Sequence, residues 1–351
     1  MLSSASPVWT VIIIGSVAFV VALVGVPTVR RIALRTGVLD NPEQGKMHTG
    51  ATPYFGGLAI GLAALLIPSL FQDWTREAAY IGIAAIAVSL CGLVDDLRNL
   101  NPYARLGVEM LAAALAVHAG ARIRIFDNWV DIALTIAWLV VITNSFNLLD
   151  NMDGVAGTVA TATAIALVVA AVLQGQILVG ALAAALAGGC LGFLIYNWHP
   201  ASIFMGDAGS LLLGFLLAVV SLKLRWSTPH FESVTAVILI MAPAVFDTAL
   251  VVVSRKRAGR SIMVGGTDHT SHRLHHLGLP IRWVATSLGL VAIACASLGV
   301  MVGRGVVPPL MAIIPLVILA AAMFVPLLRM PVYAAGAGRA TGEGGAGVSA
   351  S

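Results

Sequence analysis

The sequence predicts an all-α integral membrane protein that crosses the bilayer many times. Of its 351 residues, 59% are hydrophobic and 10% are charged, and the mean hydropathy is +0.96. Soluble domains carry about 25% charged residues, so this composition excludes an ordinary soluble protein. The apolar residues also fall in runs of about 17 to 25, the length at which a helix spans the hydrocarbon core of a bilayer.

Eleven such runs predict eleven transmembrane helices. We place them at residues 8–29, 55–71, 78–94, 105–120, 131–149, 155–173, 177–196, 207–224, 234–254, 284–303 and 307–327. Residues 1–333 are therefore expected to form a single transmembrane domain. Residues 334–351 are mostly Ala, Gly, Ser and Thr and predict a disordered tail. Between the fourth and fifth runs, alternating Arg and Ile in residues 121–126 predict a short exterior strand.

The placement of Lys and Arg predicts the orientation of the chain. When alternate loops are assigned to opposite sides, 14 of the 20 Lys and Arg residues fall on one side and 6 on the other. The cytoplasmic side of a membrane protein is usually the richer in basic residues, so we expect an external N-terminus and a cytoplasmic C-terminus. This placement also accounts for the net charge of +4 without a nucleic acid partner.

Four polar residues at intervals of three interrupt the end of the fifth apolar run. Each step of three residues turns a helix by about 300°, so these side chains form one slowly rotating polar stripe. A carboxylate within a bilayer-spanning helix costs about 2.5 to 3.5 kcal/mol, so the stripe calls for a partner. The simpler interpretation is a hydrated helix end followed by an Asp-Gly turn. The residues are Asn144, Asn147, Asp150 and Asp153.

Every predicted cytoplasmic loop between two spans carries acidic, amide or histidine residues, whereas no predicted exterior loop has a comparable cluster. This asymmetry predicts a functional site at the cytoplasmic surface. In chain order the residues are Asp40, Lys46 and His48; Asp95 and Asp96; Asp150 and Asp153; Asn197, His199 and Asp207; and Asp268 with four histidines at 269, 272, 275 and 276.

This set of residues suits magnesium-dependent phosphoryl transfer. Carboxylates are hard oxygen ligands for Mg²⁺, and neighbouring carboxylates would repel one another without a cation. Lysine and histidine side chains such as Lys46 and His48 can hold phosphate oxygens. The glycines at 206 and 209 allow close approach of the backbone at a helix start, where N–H groups favour anions.

Each feature also has a simpler interpretation. The pair Asp95-Asp96 can be a solvated helix end, and the histidines can form an adventitious metal-binding surface. Asp247, inside the ninth run, is either functional or paired with a neighbouring helix. The alternative function is an ion-coupled secondary transporter, which would carry acids near the span centres rather than at their cytoplasmic ends.

Four motifs in order carry a resemblance to a known family. They are Asp40-Asn41-Pro42 with Lys46 and His48, Gly92-Leu93-Val94-Asp95-Asp96-Leu97, the stretch from Asn144 to Gly154, and Phe204-Met205-Gly206-Asp207-Ala208-Gly209-Ser210. The chain resembles the polyprenyl-phosphate N-acetylhexosamine-1-phosphate transferases, glycosyltransferase family 4. The resemblance implies transfer of a sugar-1-phosphate from a UDP-sugar to polyprenyl phosphate, with release of UMP, at a bacterial cytoplasmic membrane. It also implies Mg²⁺ as the cofactor, with Mn²⁺ as an alternative ion, and is compatible with a homodimer.

The resemblance also implies roles for individual residues. The expected catalytic residues are Asp95, Asp96, Asp150, Asp153, His269 and His272. The expected substrate-binding residues are Lys46, His48, Asn147, Arg273, His275 and His276. The expected metal ligands are Asp207 and Asp150.

Two departures from the family pattern affect these assignments. Gly45 stands where the family often has Arg before the lysine, and Ser271 stands where it often has the middle histidine of His-x-His-His. A shifted alignment would use His272, His275 and His276, but we favour His269 and His272 because Arg273-Leu274 then falls in place.

One missing motif indicates the branch of the family, and two mechanisms are considered. The run Pro-Leu-His-His-His-Phe-Glu, typical of the muramyl-pentapeptide translocases, is absent. The chain therefore looks more like the branch that uses UDP-N-acetylglucosamine and initiates envelope polymers. Single displacement by the lipid phosphate and a covalent aspartyl intermediate both fit the sequence.

Overall fold

Helices make up most of the computed structural model, which describes residues 6–40, 50–71 and 75–333. Lys46 and His48 of the first loop, Gly45, and the predicted tail at 334–351 lie outside the described residues. The described part contains a two-stranded antiparallel ribbon, in which β1 (Leu39–Asp40) pairs with β2 (Thr52–Pro53). Leu39 lies opposite Pro53, and Asp40 lies opposite Thr52.

Twelve helices are present in the described residues. They are α1 (Pro7–Thr36), α2 (Gly56–Phe71), α3 (Arg76–Arg98), α4 (Pro102–His118), α5 (Trp129–Leu149), α6 (Val155–Leu173), α7 (Ile177–Asn197), α8 (Asp207–Lys223), α9 (His230–Arg257), α10 (Thr270–His276), α11 (Ile281–Gly303) and α12 (Pro309–Arg329). Each of the eleven predicted runs coincides with one long helix. The short α10 lies in the loop between α9 and α11, residues 258–280, which we call the histidine loop.

Eight helices in the described part are long and apolar enough to cross a membrane, which makes the protein a polytopic membrane protein. They are α1, α3, α5, α6, α7, α9, α11 and α12. The other three long helices, α2, α4 and α8, have 16, 17 and 17 residues. The count of eleven spans and the orientation of the termini stay predictions.

Helix α8 lies at the centre of the helix bundle. Every residue from Ala208 to Ser221 is buried, and the helix packs against α2, α3 and α5. A helix that is apolar on all sides is one that other helices surround. Its N-terminal residue, Asp207, is thereby held at a fixed position on one face of the bundle.

Small residues allow α2 to approach the start of α8 closely. A Cβ atom added to Gly57 would lie 2.0 Å from the Cα of Gly209. The first N–H groups of α2 also bind the loop before α8, because Gly56 donates to the carbonyl of Phe204 (2.9 Å) and Gly57 to that of Met205 (3.0 Å). Close backbone contact through small residues is a common way of packing membrane helices.

The predicted exterior strand at residues 121–126 was wrong. The structure has no strand in this segment, which is irregular. The N–H groups of Ile125, Phe126 and Asp127 donate to the carboxylate of Asp131 at 2.9–3.2 Å. Because a side chain takes these donors at the start of α5, they cannot form a strand ladder.

We predict that Gly57→Ala destabilises the fold severely. The added methyl group would meet backbone atoms of Gly209, which cannot rotate away, so the cost should reach about 3 kcal/mol or more. The apparent melting temperature in detergent measures the effect. Gly107→Ala in α4 is the matched control, because its Cβ meets nothing within 4 Å. Equal melting temperatures for the two variants would contradict the packing described for α2 and α8.

Candidate active site

The loops at one end of the bundle enclose a cleft of about 1290 Å³. All these loops belong to the side for which the sequence predicts a cytoplasmic location. Six of the predicted site residues line the cleft: five aspartates, which are Asp95, Asp96, Asp150, Asp153 and Asp207, and His272. The charged and aromatic lining residues are Arg30, Asp40, Tyr54, Asp95, Asp96, Asp150, Asp153, His199, Phe204, Asp207, Arg260, His272 and Tyr333.

The carboxylate of Asp96 binds the N-terminus of α8. Its Oδ1 accepts the N–H of Asp207 at 2.8 Å, and its Oδ2 accepts the N–H of Ala208 at 3.1 Å. These are backbone donors that a helix N-terminus leaves unpaired, and the helix dipole favours an anion there. Gly206, at φ +75°, leaves the space for this contact, since a Cβ atom would lie 2.7 Å from Asp96 Oδ2.

Arg105 joins the two aspartates that stand on α3 and α8. Its guanidinium donates to Asp95 Oδ2 at 3.0 Å and to Asp207 Oδ2 at 3.3 Å, and its Nε lies 3.6 Å from Glu109 Oε1. The other oxygen of Asp95 accepts the N–H of Leu100 at 2.6 Å. Arg105 therefore offsets the charge of three acidic side chains at once.

The predicted polar stripe divides into two parts where α5 ends. Within the helix, Asn147 Nδ2 donates to Asp207 Oδ1 at 2.7 Å and to Ser210 Oγ at 2.9 Å. Asn144, one turn earlier, donates to Glu109 of α4. The helix ends at Leu149, so Asp150 and Asp153 belong to the following turn and line the cleft.

Asp150 lies among like charges. Burial, together with the charges of Asp207, Asp96 and Asp153, raises the pKa of Asp150 to about 8, although the Gly206 N–H donates to it. A carboxylate in such surroundings favours a bound cation or a proton.

The carboxylates of Asp150 and Asp207 fit a Mg²⁺ site. Both are hard oxygen donors on the cleft wall. Within the described ranges, no three His, Cys, Asp or Glu side chains form a group that encloses a metal ion. Mg²⁺ does not need such a cage, because it commonly takes one or two carboxylates together with water and substrate phosphates.

Asp153 and Asn197 attach the loop between α7 and α8 to the turn after α5. Asp153 Oδ2 accepts the N–H of Ala201 at 3.0 Å and lies 2.7 Å from His199 Nδ1. Asn197 Oδ1 accepts the Gly154 N–H at 3.0 Å. Sequence reasoning noted Asn197 and His199 only as members of a polar loop.

The histidine loop brings only one of its four histidines to the lining of the cleft that the structure describes. His272 is 6% exposed, and burial with the nearby His269 lowers its pKa to about 4, so it is neutral at pH 7. His269 lies behind it, with the ring centroids 5.7 Å apart. His275 Nδ1 is bonded to the carbonyl of Leu279 at 2.8 Å, and His276 is exposed.

Asp247 is paired with a neighbouring helix, one of the two interpretations that its position in α9 allows. Its Oδ2 lies 2.9 Å from His269 Nδ1, and its Oδ1 accepts the N–H of Thr270 at 2.6 Å. The pair fixes α10 against α9. His269 is therefore placed to support His272 from behind.

Arg273 is fully buried and is not among the described lining residues of the cleft. Its guanidinium donates to the carbonyl of Asp268 at 2.9 Å, to Ser254 Oγ at 2.8 Å and to the carbonyl of Leu327. It thus links the histidine loop to α9 and to the end of α12.

Comparison with known proteins assigns the chain to a family. The family model described as glycosyl transferase family 4 matches residues 78–225, from α3 to the end of α8. The chain is 33% identical over 282 residues to the probable undecaprenyl-phosphate N-acetylglucosaminyl 1-phosphate transferase of Bacillus subtilis, covering 76% of this chain and 78% of that protein. The chain belongs to glycosyl transferase family 4.

Two further relatives in this family are similar over most of their length. The chain is 31% identical over 342 residues to the decaprenyl-phosphate N-acetylglucosaminephosphotransferase of Mycolicibacterium smegmatis, which covers 83% of this chain and 82% of the relative. It is 27% identical over 321 residues to the phospho-N-acetylmuramoyl-pentapeptide-transferase of Heliobacterium modesticaldum, covering 84% and 97%. The matched segment contains Asp95, Asp96, the polar stripe and Asp207. Membership of the family gives no support to the transporter alternative.

We predict that Arg105→Met lowers the free energy of unfolding by about 3 kcal/mol. The substitution leaves the partly exposed Asp95 and Asp207 and the buried Glu109 close together without their shared cation, and leaving a buried carboxylate without its partner costs about this much. Denaturant unfolding in detergent measures the effect. Asp95→Asn combined with Arg105→Met should recover part of the loss. A cost below about 0.5 kcal/mol for Arg105→Met, within the range of ordinary surface substitutions, would contradict the central position given to Arg105.

Proposed function

We propose that the protein transfers N-acetylglucosamine-1-phosphate from UDP-N-acetylglucosamine to polyprenyl phosphate at the cytoplasmic face of a bacterial cytoplasmic membrane. UMP leaves, and the lipid-linked pyrophosphoryl sugar initiates an envelope polymer. One observation carries the proposal. Asp95 and Asp96 lie 54 to 112 residues before Asp150 and Asp207 in the sequence, yet all four motif aspartates line a single cleft and fall inside the family match. The names of the Bacillus subtilis and Mycolicibacterium smegmatis relatives support the choice of sugar.

The reaction exchanges one phosphorus–oxygen bond for another. A phosphate oxygen of the lipid attacks the sugar-linked phosphorus of the UDP-sugar and forms the new bond. The bond from that phosphorus to the bridging oxygen breaks, and its electron pair leaves with UMP. Positioning and charge neutralisation supply most of the catalysis in phosphoryl transfer.

Asp207 and Asp150 would hold Mg²⁺, or Mn²⁺ in its place, and the ion would offset the phosphate charge. Asn147 and Arg105 fix the two oxygens of Asp207, which favours a defined orientation of that carboxylate. We assign Asp153, whose carboxylate contacts His199, to the nucleotide. His272 offers a neutral ring to a phosphate oxygen, and His269 keeps the ring in place. We assign Lys46 and His48 to the phosphates as well.

Single displacement is the mechanism that the contacts favour. Both oxygens of Asp96 accept backbone N–H groups of α8, and both oxygens of Asp95 accept from Leu100 and Arg105. Carboxylates held in this way are weak nucleophiles, because attack would break the hydrogen bonds that stabilise their charge. We therefore assign Asp95 and Asp96 to positioning of the lipid phosphate.

We extend the proposal to the topology. All eleven long helices cross the membrane, with the N-terminus outside and the C-terminus in the cytoplasm, because every loop at the cleft then faces the compartment that holds UDP-sugars. A homodimer, and direct substrate contacts of Arg273, His275 and His276, stay predictions. The contacts of Arg273 favour a supporting role through the histidine loop.

The proposed function predicts UMP release by the purified protein. With polyprenyl phosphate and Mg²⁺, UDP-N-acetylglucosamine should be used in preference to the UDP-muramyl-pentapeptide. Asp207→Asn should lower kcat by about 100-fold or more at limiting Mg²⁺, because it removes one charge from the metal site. Asp127→Asn is the matched control, since Asp127 is exposed at the opposite end of the bundle. Wild-type activity of Asp207→Asn would show that the metal assignment is wrong, and no UMP from any UDP-sugar would overturn the function.

A further inference from the structure

The described lining of the cleft is poor in cations for a site that binds several phosphate groups. Among its described lining residues, six are aspartates and two are arginines, Arg30 and Arg260. Arg30 uses its Nε on the carbonyl of Ser202, at 2.9 Å, and so helps to hold the loop after α7. The side chain of Arg260 makes no such hydrogen bond to any residue that the structure describes.

Arg260 lines the cleft with its guanidinium over the aromatic ring of Tyr333. It stands just after α9, where its backbone N–H donates to the carbonyl of Arg255 at 2.9 Å. Its guanidinium carbon lies 4.7 Å from the centre of the Tyr333 ring. The side chain is exposed, and within the part of the chain that the structure describes its guanidinium donates no hydrogen bond. Stacking on an aromatic face leaves the N–H groups at the edge of a guanidinium free to bind an oxyanion.

Tyr333 is itself fixed by a buried ion pair. Its hydroxyl donates to Asp268 Oδ2 at 2.7 Å. Asp268 is fully buried and receives two hydrogen bonds, both 3.0 Å, from the guanidinium of Arg255. Two parallel hydrogen bonds define the orientation of both groups, so the ring under Arg260 is held from the protein interior.

The histidine loop also binds the end of α12. Arg273 donates to the carbonyls of Leu327 and Met330. The segment from Met330 to Tyr333 is thus bound to the histidine loop at both ends, and Val332 and Tyr333 line the cleft beside Gly265 and Gly266. Ordering this segment costs conformational entropy, yet among the described residues the guanidinium of Arg260 has no hydrogen-bond partner at the cleft, which points to a ligand.

We propose that Arg260, stacked on Tyr333, binds a phosphate group of a substrate in the cleft, and that Tyr333 and Asp268 are its positioning residues. This inference rests on the proposed function. The shared chemistry is a phosphate oxyanion, which either the nucleotide sugar or the polyprenyl phosphate supplies. Lys256 and Arg257 are also exposed at this end of α9, but they are not among the described lining residues of the cleft.

The test measures KM for each substrate and kcat in UMP release, together with equilibrium binding of UDP-N-acetylglucosamine, of inorganic pyrophosphate and of polyprenyl phosphate. Arg260→Ala should raise KM for one substrate by about 10-fold to 100-fold, the range for a charge-assisted hydrogen bond, with kcat changed less than about threefold. Tyr333→Leu, which removes the ring, should behave similarly. Tyr333→Phe keeps the ring and should have a smaller effect, and Arg260→Lys should recover part of the affinity. Arg257→Ala is the matched control and should match the wild type.

Some outcomes identify which substrate supplies the phosphate, and the others overturn the proposal. A higher KM for the UDP-sugar, with weaker binding of pyrophosphate, assigns Arg260 to the nucleotide, and a higher KM for polyprenyl phosphate alone assigns it to the lipid. Unchanged KM values, or a fall in kcat alone, overturn the proposal. If the wild type releases no UMP, the proposed function fails, and equilibrium binding of UDP-N-acetylglucosamine, pyrophosphate and polyprenyl phosphate still decides: weaker binding of any of the three to Arg260→Ala supports the phosphate site, and equal or undetectable binding of all three overturns it.

Discussion

The contact between the Asp96 carboxylate and the N-terminus of α8 is the interaction on which the site depends. It brings the end of α3 against the first turn of the central helix. The approach is close enough that a Cβ atom at Gly92 would lie 2.3 Å from the carbonyl oxygen of Asp207. Once α3 and α8 are held at this distance, Asp95 and Asp207 lie within reach of one guanidinium, that of Arg105.

This arrangement explains how a bundle of apolar helices tolerates so many carboxylates at one end. Helix N–H groups, Arg105 and Asn147 bind most of their oxygens, which limits the cost of burying charge. The pKa of Asp150, just after α5, is nevertheless raised to about 8 by burial and neighbouring acids. The described site therefore has a defined geometry and an excess of negative charge, which the Mg²⁺ that we propose would offset.

Periodicity and composition predicted the elements that apolar burial dictates. All eleven apolar runs coincide with helices, and the six motif aspartates that the sequence singled out line one cleft. The fifth apolar run was predicted to end at residue 149, and α5 does end at Leu149. The every-third-residue spacing predicted one continuous helical stripe, whereas Asp150 and Asp153 lie in the turn after α5, as the simpler interpretation expected.

The contacts between distant segments were not predictable in the same way. In the sequence, Arg105 resembles any basic residue at the end of a membrane span, so its role at the site was not predicted. The available signal was Glu109, an acid one turn later in an alanine-rich run, which requires a partner. Nothing in the local sequence relates Tyr333 to Asp268, because 65 residues separate them. Arg273 likewise matches a motif, although its guanidinium binds carbonyls of the distant α12.

The central claim is that the aspartates hold and position the phosphates and do not attack them. Isotope exchange tests this claim most directly: delipidated protein is incubated with UDP-N-acetylglucosamine, radiolabelled UMP and Mg²⁺, with and without polyprenyl phosphate. We expect no label in the UDP-sugar until polyprenyl phosphate is added, because the sugar phosphate then moves only to and from the lipid. Exchange without the lipid would reveal a covalent intermediate on the protein and would contradict the claim.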